Sequence, residues 1–124
     1  MSKTVLGIGL AGFGTVGSGV WKILAEHGAL IESRSRGSAV MEIRKIAVRD
    51  FSKKRDGNAP AELFTTNLME MVDNPMVDIV VELIGGTEAA FNLVTKSLKA
   101  GKPVITGNKA LLAERGTELC LLYT

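Results

Sequence analysis

Three glycines at positions 12, 14 and 17 stand in G-x-G-x-x-G spacing, an arrangement suited to holding a diphosphate. The first permits a tight turn, the second lets backbone approach a pyrophosphate, and the third lets a following helix press against the preceding strand. The flanking residues supply the strand and helix that this chemistry requires. Val5, Leu6, Ile8 and Leu10 form the near-continuous apolar run of a strand buried on both faces. Val16, Val20, Ile23 and Leu24 recur at helical spacing on one face, with Gly28 as the stop. Such a helix aims the free N–H groups of its first turn at the phosphates. Taken alone, the glycine pattern also fits an accidental cluster in an ordinary strand-to-helix turn. Residues 4–21 carry no charge, but their six glycines make a poor apolar helix and no small-residue cleavage site follows. That argues against a secretory signal or membrane segment.

Other positions carry groups that could act on the same ligand. Arg49-Asp50 closes a second apolar run. At such a strand tip a carboxylate takes the ribose 2′-hydroxyl of NAD, whereas an arginine accommodates the 2′-phosphate of NADP. Arg49, backed by Lys53 and Lys54, favours NADP, and Asp50 keeps NAD open. Ile84-Gly85-Gly86 ends a third apolar run; the glycines either let backbone approach a nicotinamide ribose or simply stop a strand. Glu82 lies inside that run, where a hydrogen-bonded structural carboxylate is the first expectation and a catalytic one the second. Lys109, taken alone, reads as a surface lysine at a helix start. His27 is the one histidine and Cys120 the one cysteine. The first suits a helix end and the second a helix face, and together they give no His/Cys metal site. Met69 and Met71 read as packing residues.

The elements that must position these groups follow from the same patterns. Residues 29–39 prolong the first helix before a loop, and 40–49 alternate partly as a second strand. Residues 50–61 form a loop with an Asp-Gly turn and a proline. Leu63 to Thr66 is a short third strand. A short helix over Leu68 to Val72 takes Asn67 as its cap and closes at Asn74-Pro75. Asp78 to Ile84 is a buried strand. Thr87 caps a helix that runs to Ala100, with Leu93, Val94 and Leu98 on its buried side and Gly101 as its C-cap. Pro103 to Thr106 begins a strand. Asn108 onward gives one or two helical turns, a glycine break at Gly116 and a last helix. Strands alternating with helices imply an α/β fold: a doubly wound, mostly parallel sheet of the Rossmann type. In such a sheet ligands bind beyond the carboxyl ends of the strands, so the four tips should line one crevice.

The whole chain of 124 residues is one domain in size. Its 46% hydrophobic content and 14 glycines fit a globular α/β protein. One cysteine excludes an internal disulfide and, with no targeting pattern, makes the cytoplasm the expected location. Net charge is only +2, yet residues 34–56 hold eight basic side chains against three acidic ones. A local patch of this kind suits a phosphate-bearing ligand better than a nucleic acid, or is a solvated surface.

Residues 79–119, IVVELIGGTEAAFNLVTKSLKAGKPVITGNKALLAERGTEL, carry a more specific signal. With GFGTVGSGV at 12–20 and KIAVRDFSK at 45–53, this stretch closely resembles the N-terminal nucleotide-binding domain of homoserine dehydrogenase. GKPVITGNKALLAERG, residues 101–116, is its most diagnostic part. The resemblance implies NAD- or NADP-dependent oxidation of L-homoserine to L-aspartate 4-semialdehyde, and the reverse, in threonine and methionine biosynthesis. It implies that Phe13, Thr15 and Val16 contact the pyrophosphate, Arg49 the adenosine end, and Gly85 the nicotinamide ribose. It places Lys109 near nicotinamide and substrate, where a lysine can act as base or polarise a hydroxyl. The family continues into a substrate and dimerisation domain that this sequence lacks, and LCLLYT stops in mid-helix. The isolated 124 residues are therefore expected to bind cofactor without turning over homoserine. Other expectations remain beside this one: a non-catalytic nucleotide-binding or self-associating module, and another oxidoreductase of the same fold. No membrane or nucleic-acid partner is expected.

Overall fold

The computed structural model describes residues 4–14, 16–24, 39–49, 60–84 and 86–123. Their strands are β1 (Thr4–Ala11), β2 (Ala39–Ala47), β3 (Phe64–Thr65), β4 (Ile79–Glu82) and β5 (Val104–Thr106). Their helices are α1 (residues 16–24), α2 (Glu70–Asp73), α3 (Glu88–Lys99) and α4 (Lys109–Tyr123), and a 3-10 turn at Ala61–Leu63 leads into β3. The sheet order is β3-β2-β1-β4-β5, and every neighbouring pair is parallel. The chain winds outward from β1 to β3, then crosses back to lay β4 on the other flank of β1. This is the doubly wound sheet expected from the sequence, with its reversal between β1 and β4.

The alternation of β1 gives it two unlike faces. Ile8 and Leu10 join Ile43, Ile46, Val48 and Val81 in one buried layer beneath Val20, Trp21 and Leu24 of α1. On the opposite face Gly7 and Gly9 leave room for chain to lie on the strand. A Cβ on Gly9 would stand 2.7 Å from the Met71 sulfur, and one on Gly7 only 1.8 Å from the Met76 carbonyl oxygen. The Gly7 N–H donates to the Asp78 carboxylate (2.7 Å), and the Asp78 N–H donates to the Gly7 carbonyl (2.7 Å). α2 and α3 cover this second face through Met71 and Leu93, packed with Ala11, Ala47, Val77 and Val80. Lys102 braces it further. Its Nζ donates to the carbonyls of Met71 (3.1 Å) and Asn74 (2.8 Å) at the end of α2. Burial pushes that ammonium below the usual lysine pKa, while Asp73 and Asp78 pull the other way.

Several local expectations are corrected. β2 alternates only partly because the register with β1 shifts between Ile8 and Gly9: Ile8 faces Ile43 and Gly9 faces Lys45, leaving Arg44 as an extra residue. The bulge is why Ile43, Ile46 and Val48 share one layer despite odd and even numbers. In α1 the inward face is Gly17, Val20, Trp21 and Leu24, whereas Val16 and Ile23 are 63% and 54% exposed. Gly17 must face the strand, and positions three, four and seven residues on follow it inward. Thr87 precedes α3 without a side-chain cap bond. Asn67 accepts from the Met69 N–H (3.0 Å) one residue ahead of α2, a turn before the helix and not a cap on it. Gly101 does close α3: its φ is +81°, and the Lys102 N–H donates to the Ser97 carbonyl (2.9 Å). The stop at Gly28, the extension of the first helix over 29–38 and the loop over 50–59 lie outside the described residues.

The glycine break expected at Gly116 is absent, and α4 runs through it. Leu111 and Leu119, on either side, pack into one cluster with Ala90 and Val94 of α3. That burial outweighs the ~1 kcal/mol that a helical glycine costs. A Cβ at Gly116 meets nothing within 4 Å. Gly116→Ala should therefore raise stability by about 0.5–1 kcal/mol in urea denaturation; a loss would mean that the helix bends or ends there.

Candidate functional site

The turn from β1 into α1 folds tightly on itself. Gly12 has φ +106°, donates its N–H to the Ala47 carbonyl (2.9 Å), and would place a Cβ 2.8 Å from the Leu83 carbonyl oxygen. A Cβ on Gly17 would lie 2.2 Å from the Gly12 oxygen, so helix and strand touch backbone to backbone. Gly14 differs: it is exposed, and a Cβ there meets nothing within 4 Å. The open space lies where the second glycine of the motif must admit a ligand. The Ser18 N–H donates to the Gly14 carbonyl (2.9 Å), beginning the helical ladder. The amides of Val16 and Gly17 therefore precede any helical acceptor and, at the positive end of α1, are suited to an anion.

Phe13 turns the other way. Its ring is buried in the layer under α1 and meets Phe64 edge-on, 5.3 Å between centroids. Only its main chain can serve a phosphate, and its side chain anchors the turn to β3. Thr15, Asp50, Lys53 and Gly85 lie outside the described residues.

Beside this turn lies a cleft of about 370 Å³, lined by Val16, Leu83, Ile84, Gly107, Asn108 and Lys109. It joins three of the four strand tips. Lys109 opens α4 and is exposed; among the described residues no carboxylate pairs with it. Arg49 stands exposed just beyond β2, on the same carboxyl edge of the sheet but outside this lining. Three strand spacings separate β2 from β5, roughly 14 Å, so Arg49 and Lys109 stand well apart along that edge. The rest of the basic segment that is described does not act with them: Arg44 pairs with Glu42 (3.6 Å) and Lys45 with Glu70 (3.8 Å).

Glu82 is fully buried, and its carboxylate is structural. Oε1 accepts from the Thr106 hydroxyl, and Oε2 accepts from the Ile84 N–H (2.9 Å). The Thr106 Oγ1 in turn accepts from the Asn108 N–H (3.0 Å). Asn108 was legible only as a helix start, yet it ties the cleft together. Its Oδ1 caps α4 by accepting from the Leu111 N–H (3.0 Å), and its Nδ2 donates to the carbonyls of Ile84 (3.2 Å) and Gly86. An asparagine just before the apolar run of KALL is a cap signal in the sequence; its donors to the facing loop have no counterpart there.

A parallel doubly wound sheet with a glycine turn and a helix N-terminus at its reversal point defines a dinucleotide-binding domain. The profile of the family "homoserine dehydrogenase, NAD binding domain" matches residues 12–123. A homoserine dehydrogenase of Corynebacterium glutamicum is 47% identical over 116 residues, 94% of this chain and 25% of that protein. A crystal structure of S. aureus homoserine dehydrogenase superposes with a TM-score of 0.86 at 39% identity, over 96% of this chain and 30% of that one. A hyperthermophilic archaeal homoserine dehydrogenase in complex with NADPH, 24% identical with a TM-score of 0.72, shares the fold. The chain belongs to the family of homoserine dehydrogenase NAD-binding domains. It spans about a quarter of the length of the curated relatives it matches.

The two kinds of glycine differ in what a side chain would meet. Gly17→Ala drives a methyl into the Gly12 carbonyl and should cost more than about 2 kcal/mol. Gly14→Ala should shift the thermal melting midpoint little, because its Cβ enters open space. Equal losses from both would show that the turn is not packed in this way.

Proposed function

We propose that this chain is the cofactor-binding part of an enzyme that interconverts L-homoserine and L-aspartate 4-semialdehyde with NADP or NAD. The observation that supports the reading is a cleft lined by Val16 at the head of α1, by the β4 tip and by Lys109, beside the open Gly14 turn; among the described residues no carboxylate pairs with that lysine. In this reading the main chain of Gly12, Phe13, Gly14, Thr15, Val16 and Gly17 holds the pyrophosphate. Arg49 faces the 2′-phosphate, with Lys53 near it, and Asp50 faces the ribose hydroxyl when NAD binds. Ile84 and Gly85 offer backbone to the nicotinamide ribose. The residues fit the group: the donors are main-chain amides and cations, and the one buried carboxylate among the described residues, Glu82, is consumed by Thr106 and Ile84.

When bound, the dinucleotide supplies the hydride acceptor or donor. Oxidation of a carbinol also releases the hydroxyl proton, and in this reading Lys109 takes it or polarises the oxygen. Val16, Leu83 and Ile84 give that end of the cleft an apolar wall. The chain by itself is proposed to bind cofactor without turnover, in the cytoplasm, with no nucleic acid or membrane as partner. Among the described residues no helix is long and apolar enough to cross a membrane. A second reading, self-association, draws on Ile105 of the edge strand β5 and Leu112 of α4, 60% and 50% exposed. Light scattering separates it from the first, since a strictly monomeric species excludes it.

Calorimetric titration with NADPH and NADH should show binding, and Gly14→Ala should abolish it while the fold persists. Heat with neither cofactor overturns the proposal. Arg49→Ala should weaken NADPH by about tenfold or more and NADH by less, because only the former presents a phosphate to the guanidinium. Equal weakening would remove Arg49 from the adenosine end. Robust oxidation of homoserine by the 124 residues would show that the substrate groups are already present.

A further inference from the structure

We infer that Asn108 is a positioning residue for the nicotinamide end of the cleft, fixing the tip of β4 and the head of α4 relative to each other. The inference rests on reading this crevice as the dinucleotide site.

The hydrogen bonds close a ring. Glu82 takes the Ile84 N–H on one oxygen and the Thr106 hydroxyl on the other; Thr106 takes the Asn108 N–H; Asn108 returns a donor to the Ile84 carbonyl. Ile84, which lines the cleft, is thus held at both its N–H and its C=O. A second hydrogen of the same amide reaches the Gly86 carbonyl. The asparagine is 9% exposed, and its neighbour in sequence is Lys109.

Capping alone does not account for this residue. Serine or aspartate would accept from the first turn of α4 as well as asparagine does. What they lack is a pair of donors on the same side chain, aimed back at the facing loop. Asparagine supplies one acceptor to the helix and two donors to the loop. The cleft wall and the lysine therefore move as one body, and a ligand placed between them meets a surface ordered before it arrives.

The test compares each whole cofactor with its nicotinamide-free counterpart: NADPH with 2′-phospho-ADP-ribose, and NADH with ADP-ribose. Asn108→Ser and Asn108→Asp both keep an acceptor for the Leu111 N–H and remove both amide donors, serine retaining a single short hydroxyl donor and aspartate none. In each, affinity for the reduced dinucleotide should fall about tenfold, a 1.4 kcal/mol change. Affinity for the nicotinamide-free compound should hold, and the change in reduced-nicotinamide fluorescence on binding should shrink. Loss of stability alone would lower both affinities together and leave their ratio and the emission of bound cofactor unchanged; that result overturns the inference, as does full retention of both affinities. Wild-type chain that binds the nicotinamide-free compound as tightly as the whole cofactor also overturns it, while leaving the dinucleotide reading intact. Wild-type chain that binds neither overturns that reading and the inference with it.

Discussion

The backbone of Gly17 against the carbonyl of Gly12 is the contact on which the crevice depends. With a Cβ on Gly17 only 2.2 Å from that oxygen, no side chain fits, and α1 is drawn onto the end of β1. The approach sets the direction of α1 and so the place where its unsatisfied amides emerge. It also selects the face of α1 that turns inward, since Val20, Trp21 and Leu24 share a side with Gly17. Phe13 completes the arrangement by anchoring the turn against Phe64. A strand tip, a helix start and an open glycine are thereby held together by sterics, before any ligand contributes binding energy.

The same reliance on missing side chains runs along the rest of β1. Gly7 and Gly9 let residues 71–78 lie against the strand, and the exchange between Gly7 and Asp78 pins β4 beside it. Burial on that face comes from Met71, Val77 and Leu93 reaching across to a nearly bare strand. The glycines of TVLGIGLAGFG thus do two jobs. Those before Ala11 admit neighbouring chain, and those after it shape the turn.

Much of this was legible in the sequence, because strand-helix alternation and glycine spacing are local signals with fixed periods. The element order, the parallel doubly wound sheet and the roles of Gly12, Gly17 and Gly101 follow from such patterns. What was not legible depends on the third dimension. The Arg44 bulge is a mismatch between two strands, so neither strand shows it alone. Gly116 reads as a breaker until Leu111 and Leu119 are seen packed on α3. The resemblance implies a pyrophosphate contact at Phe13, and no local pattern shows that its ring packs edge-on against Phe64, fifty-one residues on. Asn108 signals a cap through its type and place, while its donors find carbonyls twenty-two and twenty-four residues back.

The tip of β2 and the tips of β4 and β5 are built in different ways. At the β2 tip an exposed guanidinium can recognise a phosphate through charge and a planar fork, tolerating some motion. At the β4–β5 tips a ring of hydrogen bonds through Glu82, Ile84, Thr106 and Asn108 holds the backbone, a rigidity that would suit the proposed reactive end, where small displacements are costly. That end nevertheless offers one cation and no free carboxylate among the described lining residues: Glu82 is already committed to Thr106 and Ile84. An amino-acid substrate brings an ammonium as well as a carboxylate and a hydroxyl. On the proposed reading Lys109 would serve the oxygens of such a substrate, and no described lining residue would meet the ammonium.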